Sequence, residues 1–151
     1  MPLPTLTPDE YNRFSVALKF VLKWEGGYSN DPQDPGGETK WGISKRYHPN
    51  LDIKNLTAEQ AAEIYYNEYW TANGCGDIPY PMCVVVLDTA VNMGGSRALS
   101  FLEKAKGDVN EYIALRKQRY VDLVKANPVK QKYLKGWLNR LSDLEKYVQL
   151  A

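Results

Sequence analysis

WEGGYSNDPQDPGGETKWGIS, residues 24–44, separates two kinds of sequence. Five Gly, two Pro and four acidic residues fall within these twenty-one positions, while the segments on either side carry helical apolar periodicity. An apolar helix therefore ends in an acid, and a loop rich in Gly and Asp follows it. Upstream, Thr7-Pro8-Asp9-Glu10 has the form of a capping box with Pro at the first helical position. Tyr11, Phe14, Leu18 and Val21 then recur at three- and four-residue spacing, and the next position on that stripe is Glu25. Gly26 and Gly27 stop the helix. Downstream, Thr39, Trp41 and Ile43 alternate, which predicts a short strand or hairpin.

The rest of the chain is helical by the same criteria. Thr57-Ala58-Glu59-Gln60 is a second capping-box pattern and opens the helix AEQAAEIYYNEYW. Residues 73–81 read as loop. Met82–Met93, MCVVVLDTAVNM, is apolar nearly all round, which predicts a buried central helix ended by Gly94-Gly95. Ser96 caps a helix to about Lys106, and Asp108-Val109-Asn110-Glu111 opens another to about Asn127. Pro128 breaks the chain before a last helix with Leu134, Trp137, Leu138, Leu141, Leu144 and Val148 on one face. The expected fold is mainly α, with a small β-hairpin after the first helix, and 151 residues suit a single core.

The chain is 44% hydrophobic and 25% charged, a globular balance. No run of eighteen apolar residues occurs, so no membrane span is expected. The opening MPLPTLTPDEY lacks the basic-then-apolar order of a secretory signal. The net charge of +1 conceals an asymmetry: residues 1–96 carry 7 Lys/Arg against 12 Asp/Glu, and residues 97–151 carry 12 against 6. A basic second half suits docking on an anionic polymer, such as a bacterial envelope, or is a solvated helical surface. No arginine-rich run or aromatic–basic ladder points to nucleic acid. Cys75 and Cys83 are not in CxxC spacing. Two free thiols are expected, with Cys83 in the core; the alternative is a disulfide closing the loop between them. The single His48 builds neither a metal cage nor a triad, and no GxSxG surrounds a serine.

Glu25 is the sharpest candidate. Its stripe faces protein, and the negative end of the helix dipole lies beside it; both raise a carboxyl pKa, as a general acid requires. The alternative is a glutamate turned to solvent at a frayed helix end. Asp34, nine positions on, and Thr39, five further, are candidates for a group on the opposite side of a sugar, where a carboxylate or a positioned water acts. Asp31 precedes Pro32 and reads as a turn builder. The loop acids do not fit an EF-hand register, and no GxxxxGK[ST] phosphate loop is present. Asp88 and Asn92 share a face of the central helix. They form either a structural hydrogen-bond network, or one in which Asn92 also reaches substrate at the cleft end. Tyr28 and Trp41 flank the Gly/Asp loop and are the aromatic candidates for stacking on sugar rings.

Several blocks carry a resemblance. Glu25-Gly26-Gly27-Tyr28, Asn30-Asp31-Pro32, Asp34-Pro35-Gly36-Gly37-Glu38-Thr39 and Gly42-Ile43-Ser44 together resemble the N-terminal signature of glycoside hydrolase family 108. Asp88-Thr89-Ala90-Val91-Asn92-Met93-Gly94 resembles its second block. Arg119-Tyr120, Pro128 and Lys135-Gly136-Trp137-Leu138-Asn139-Arg140 resemble its closing peptidoglycan-binding region. The resemblance implies a lysozyme-like N-acetylmuramidase that cleaves the β-1,4 bond between N-acetylmuramic acid and N-acetylglucosamine, with Glu25 catalytic. Phage-type lysozymes share a similar layout, which Glu25, Asp34 and Thr39 approximate. It implies a catalytic region over residues 1–106 and a peptidoglycan-binding helical region over 107–151, packed as one domain. No metal or organic cofactor is implied. The expected partner is the peptidoglycan glycan strand, and the expected state is a monomer. Such a protein is made in the cytoplasm and reaches the cell wall through a phage holin, as an endolysin does, or by another export route. The alternative is a non-catalytic cell-wall-binding or secretion-associated interaction protein on the same fold.

Overall fold

Thr7 starts the first helix by accepting a hydrogen bond from the Glu10 amide, and α1 runs over Pro8–Glu25. The computed structural model describes residues 6–33 and 37–151, so the sequence readings of residues 1–5 and of Asp34 lie outside the described residues. The expected capping box is half made: the Glu10 carboxylate accepts from Trp70 Nε1 at 3.1 Å. Phe14, Ala17, Phe20 and Val21 are the buried residues of α1, whereas Tyr11 is 56% exposed. At 100° per residue, Phe14, Ala17, Val21 and Glu25 share one arc. Tyr11 and Leu18 sit at its margin, which corrects the expected stripe without moving Glu25 off it.

After α1 the chain forms three short antiparallel strands in sequence order: β1 Ser29–Asn30, β2 Glu38–Lys40 and β3 Ile43–Ser44. Thr39 pairs with Ser29 on one side and with Ser44 on the other. Trp41 and Gly42 make the two-residue turn between β2 and β3, both left-handed, at φ 51° and 79°. This is the primed turn geometry that matches strand twist. The expected hairpin is therefore part of a three-stranded sheet, and Trp41 is a turn residue rather than a strand residue.

Helix α2, Ala58–Tyr65, has a complete capping box between Thr57 and Gln60 and continues as a wider π-helical turn, Tyr66–Thr71. That turn buries Trp70, and Phe14 meets both Tyr66 and Trp70 edge-on at 5.3 Å. The expected loop over 73–81 holds a short 3-10 turn, Cys75–Asp77. Arg13 ties it to α1 by donating to the carbonyls of Gly76 (3.0 Å) and Ile78 (2.9 Å). Cys75 and Cys83 are both buried and free.

Helix α3, Met82–Met93, is buried from Met82 through Ala90. It packs against α1 and α4, Gly95–Ala105; α5, Val109–Ala126, packs against α4 and α6, Gln131–Gln149. At about 1.5–3 kcal/mol for each buried Val or Leu, Val84, Val85, Val86 and Leu87 give α3 a large share of the favourable burial. The layout is mainly α with a small three-stranded sheet, and it has the buried central helix the sequence predicts. Among the described residues no helix is long and apolar enough to cross a membrane.

Candidate active site

Glu25 is the last residue of α1, and its side chain is 22% exposed. Arg140 of α6 donates from Nη1 to its Oε1 at 3.2 Å. Among the described residues this is the only hydrogen bond to the Glu25 carboxyl. It engages one carboxyl oxygen, and the other has no hydrogen bond among the described residues. The stem of Glu25 rests on the sheet. A Cβ added to Gly42 would lie 3.0 Å from Glu25 Cγ and 2.6 Å from Tyr65 Oη, so only glycine fits there. Tyr65 donates to the Trp41 carbonyl and clamps the turn in place. Burial, and then the charge of Glu25, raises the Tyr65 hydroxyl well above its ordinary range. Tyr69 is raised too, by burial and then by the carboxylates of Glu68 and Glu25. Both phenols therefore remain protonated at neutral pH.

Below Glu25 lies a buried ion network. Asp88 of α3 is fully buried. Arg140 grips it with Nη2 at 2.6 Å and Nε at 3.1 Å, and Arg116 of α5 donates to its other oxygen at 2.8 Å. Burial works against the Arg140 charge, but Asp88 and Glu25 outweigh it and raise that pKa. Arg116 Nε reaches Tyr120 Oη at 3.0 Å, and Tyr120 donates to Asn92 Oδ1. A continuous path thus runs Glu25, Arg140, Asp88, Arg116, Tyr120, Asn92. Burying such charges costs about as much as their attraction returns, so the network orients groups rather than adding stability.

The candidate residues fall at different places in this frame. Thr39 is in the middle of β2, two residues before the turn that covers Glu25. Trp41 is in that turn, its indole half-buried with Lys40 Nζ 4.8 Å from the ring centroid. Asn92 joins Glu25 through the network. Tyr28 is 41% exposed, and its hydroxyl donates to Glu38 across β1 and β2. Sequence reasoning assigned no role to Tyr65 or Arg116, and read Arg140 only as part of the block that resembles a peptidoglycan-binding region. The signal for the two arginines was present: Arg116 lies four residues from both Tyr112 and Tyr120, and Arg140 three after Trp137 and four before Leu144. An arginine on an apolar stripe needs a buried carboxylate, and Asp88 was the one available.

Comparison with known proteins adds to this geometry. A family model described as Glycosyl hydrolase 108 matches residues 18–94. The solved structure of Brucella abortus SagA is similar, with a TM-score of 0.75 and 26% sequence identity over 93% of this chain and 95% of that one. No curated protein matches. The matched segment contains Glu25, the sheet, Tyr65 and Asp88, whereas Arg116 and Arg140 come from the helices beyond it.

Proposed function

This chain belongs to the Glycosyl hydrolase 108 family, and on that premise we propose that it hydrolyses peptidoglycan at the β-1,4 bond between N-acetylmuramic acid and N-acetylglucosamine. The observation that carries this reading is the setting of Glu25, held at a helix end between Arg140 and the Trp41–Gly42 turn with one carboxyl oxygen unengaged among the described residues. In its protonated form that carboxyl gives its proton to the glycosidic oxygen as the C–O bond breaks. Positive charge then develops on the muramic ring. Of the two sequence candidates, Asp34 first and Thr39 second, one stabilises that charge or holds the water that completes the reaction at the anomeric carbon. Tyr28 and Trp41 offer aromatic faces to sugar rings, and Asn92 offers an amide. The substrate places the site of action at the cell wall.

Clearing of purified peptidoglycan by wild type and by Glu25→Gln tests the assignment. Loss of a general acid lowers the rate by about 10²–10⁴-fold, and the new reducing ends in the wild-type digest should be muramic acid. Equal clearing by both proteins removes Glu25 from the mechanism. Wall binding by wild type without clearing favours a non-catalytic binding protein, for which the basic second half of the chain speaks.

A further inference from the structure

Arg97 of α4 and Arg119 of α5 open on one cleft of about 250 Å³, lined also by Asn92, Tyr120 and Trp137. Both arginines are half-buried, and neither has a hydrogen bond or ion pair among the described residues. No carboxylate lines the cleft. Two like charges so placed repel each other and have lost part of their water. Asn92 Oδ1 accepts from the Tyr120 hydroxyl, and its Nδ2–H groups remain to donate. Trp137 stacks on Tyr120, with centroids 5.0 Å apart and planes at 17°, and forms an apolar wall whose polar atom is an indole N–H. The cleft offers an occupant two cationic forks, with an amide and an indole as further donors. Helix α4 begins beside them with no side-chain cap, which adds charge of the same sign. A carboxylate matches these guanidinium forks.

The cleft adjoins the network that ends at Glu25, since Asn92 and Tyr120 belong to both. Asn92 stands one helical turn, roughly 6 Å, along α3 from Asp88, and Asp88 holds the arginine that holds Glu25. A muramic residue at the scissile bond carries a stem peptide on its lactyl arm, and that peptide bears free carboxylates. We propose that the Arg97–Arg119 cleft is a subsite for a stem-peptide carboxylate. The proposal rests on the peptidoglycan reading above.

The test is a binding titration of the wild-type protein. The ligands are a reduced N-acetylglucosaminyl-N-acetylmuramyl tetrapeptide, which lacks the bond to be cut, the same compound with its carboxyls converted to methylamides, and polyglycerol phosphate. Amidation should weaken binding by about tenfold or more. Arg97→Gln/Arg119→Gln should weaken the native muropeptide similarly and leave the amidated one unchanged, with the melting temperature confirming a folded protein. If the double variant does not fold, the two single variants carry the same comparison. Equal binding of native and amidated compounds, or native binding indifferent to both arginines, overturns the proposal. Arginine-dependent preference for polyglycerol phosphate reassigns the cleft to wall-polymer phosphate and overturns it too. A protein that binds muropeptide through these arginines but never clears peptidoglycan would sink the hydrolase reading and leave the subsite standing.

Discussion

Arg140 Nη1 lies 3.2 Å from Glu25 Oε1 and joins the last helix to the end of the first across 115 positions of chain. The other edge of the same guanidinium grips Asp88. Arg140→Met would strip Glu25 of its holder and leave Asp88 with Arg116 alone. Breaking a buried pair from one side costs about 3–5 kcal/mol, measurable by chemical denaturation. Clearing, normalised to folded protein, should fall as well. Arg140→Lys should retain more stability than Arg140→Met, because it keeps the charge while losing the fork. A normalised clearing rate equal to wild type would show that Glu25 needs no guanidinium to set its position.

Gly42→Ala probes the contact from the sheet side. The left-handed backbone at φ 79° disfavours any side chain, by roughly 1–2 kcal/mol. The added methyl would also press on Tyr65 Oη at 2.6 Å and on Glu25 Cγ at 3.0 Å. A shift of the acid by about 1 Å lowers turnover on the order of 10²-fold. Helical content by circular dichroism should stay near wild type. Gly42→Ala/Tyr65→Phe removes the nearest clashing atom and should recover part of the loss; no recovery would mean that the turn, not the tyrosine, transmits the damage.

The two thiols should be inert in the folded protein. Burial pushes the Cys75 thiol up to about 12. Burial also raises Cys83, although Arg13 opposes it. A thiol reagent at pH 8 should label neither residue until denaturant is added, and should then label both. Rapid labelling of the native protein would contradict the buried placement of both residues.

Asp143 should give a pH-dependent contribution. It accepts from Lys23 Nζ and Trp24 Nε1, each at 2.8 Å, and fastens α6 to the residue just before Glu25. The Lys23 hydrogen bond is the main cause of a carboxyl pKa below the usual range. A depressed folded pKa means that the stabilisation is present above the unfolded value, near about 3.9, and is lost as pH falls through the lower folded value. Asp143→Asn should therefore cost stability at neutral pH, roughly 0.5–1 kcal/mol given the exposure of the pair and solvent screening. The gap between variant and wild type should close in acid and narrow in high salt. A gap independent of pH would assign the effect to packing.

Local chemistry was readable because its partners are close in sequence. Thr7, Thr57 and Asp108 each accept a first-turn amide, as their cap patterns predict. The all-round apolarity of residues 82–90 placed the central helix without reference to its neighbours. The conformation of Trp41 was not readable in the same way. Its left-handed backbone is held by the hydroxyl of Tyr65, 24 residues on, and strand-like alternation masked the turn. The setting of Glu25 was half readable. The helical period put it on the inward face, but the guanidinium waiting there comes from a helix whose packing no local pattern specifies. Periodicity could mark Arg116 and Arg140 as inward-facing, yet only the assembled core assigns both to Asp88.

That separation bears on the order of synthesis. A ribosome delivers Glu25 early and Arg140 115 residues later. Every nascent chain that has not yet released α6 carries its acid without the group that aims it. The contact therefore forms only after α6 has been made and has met α1.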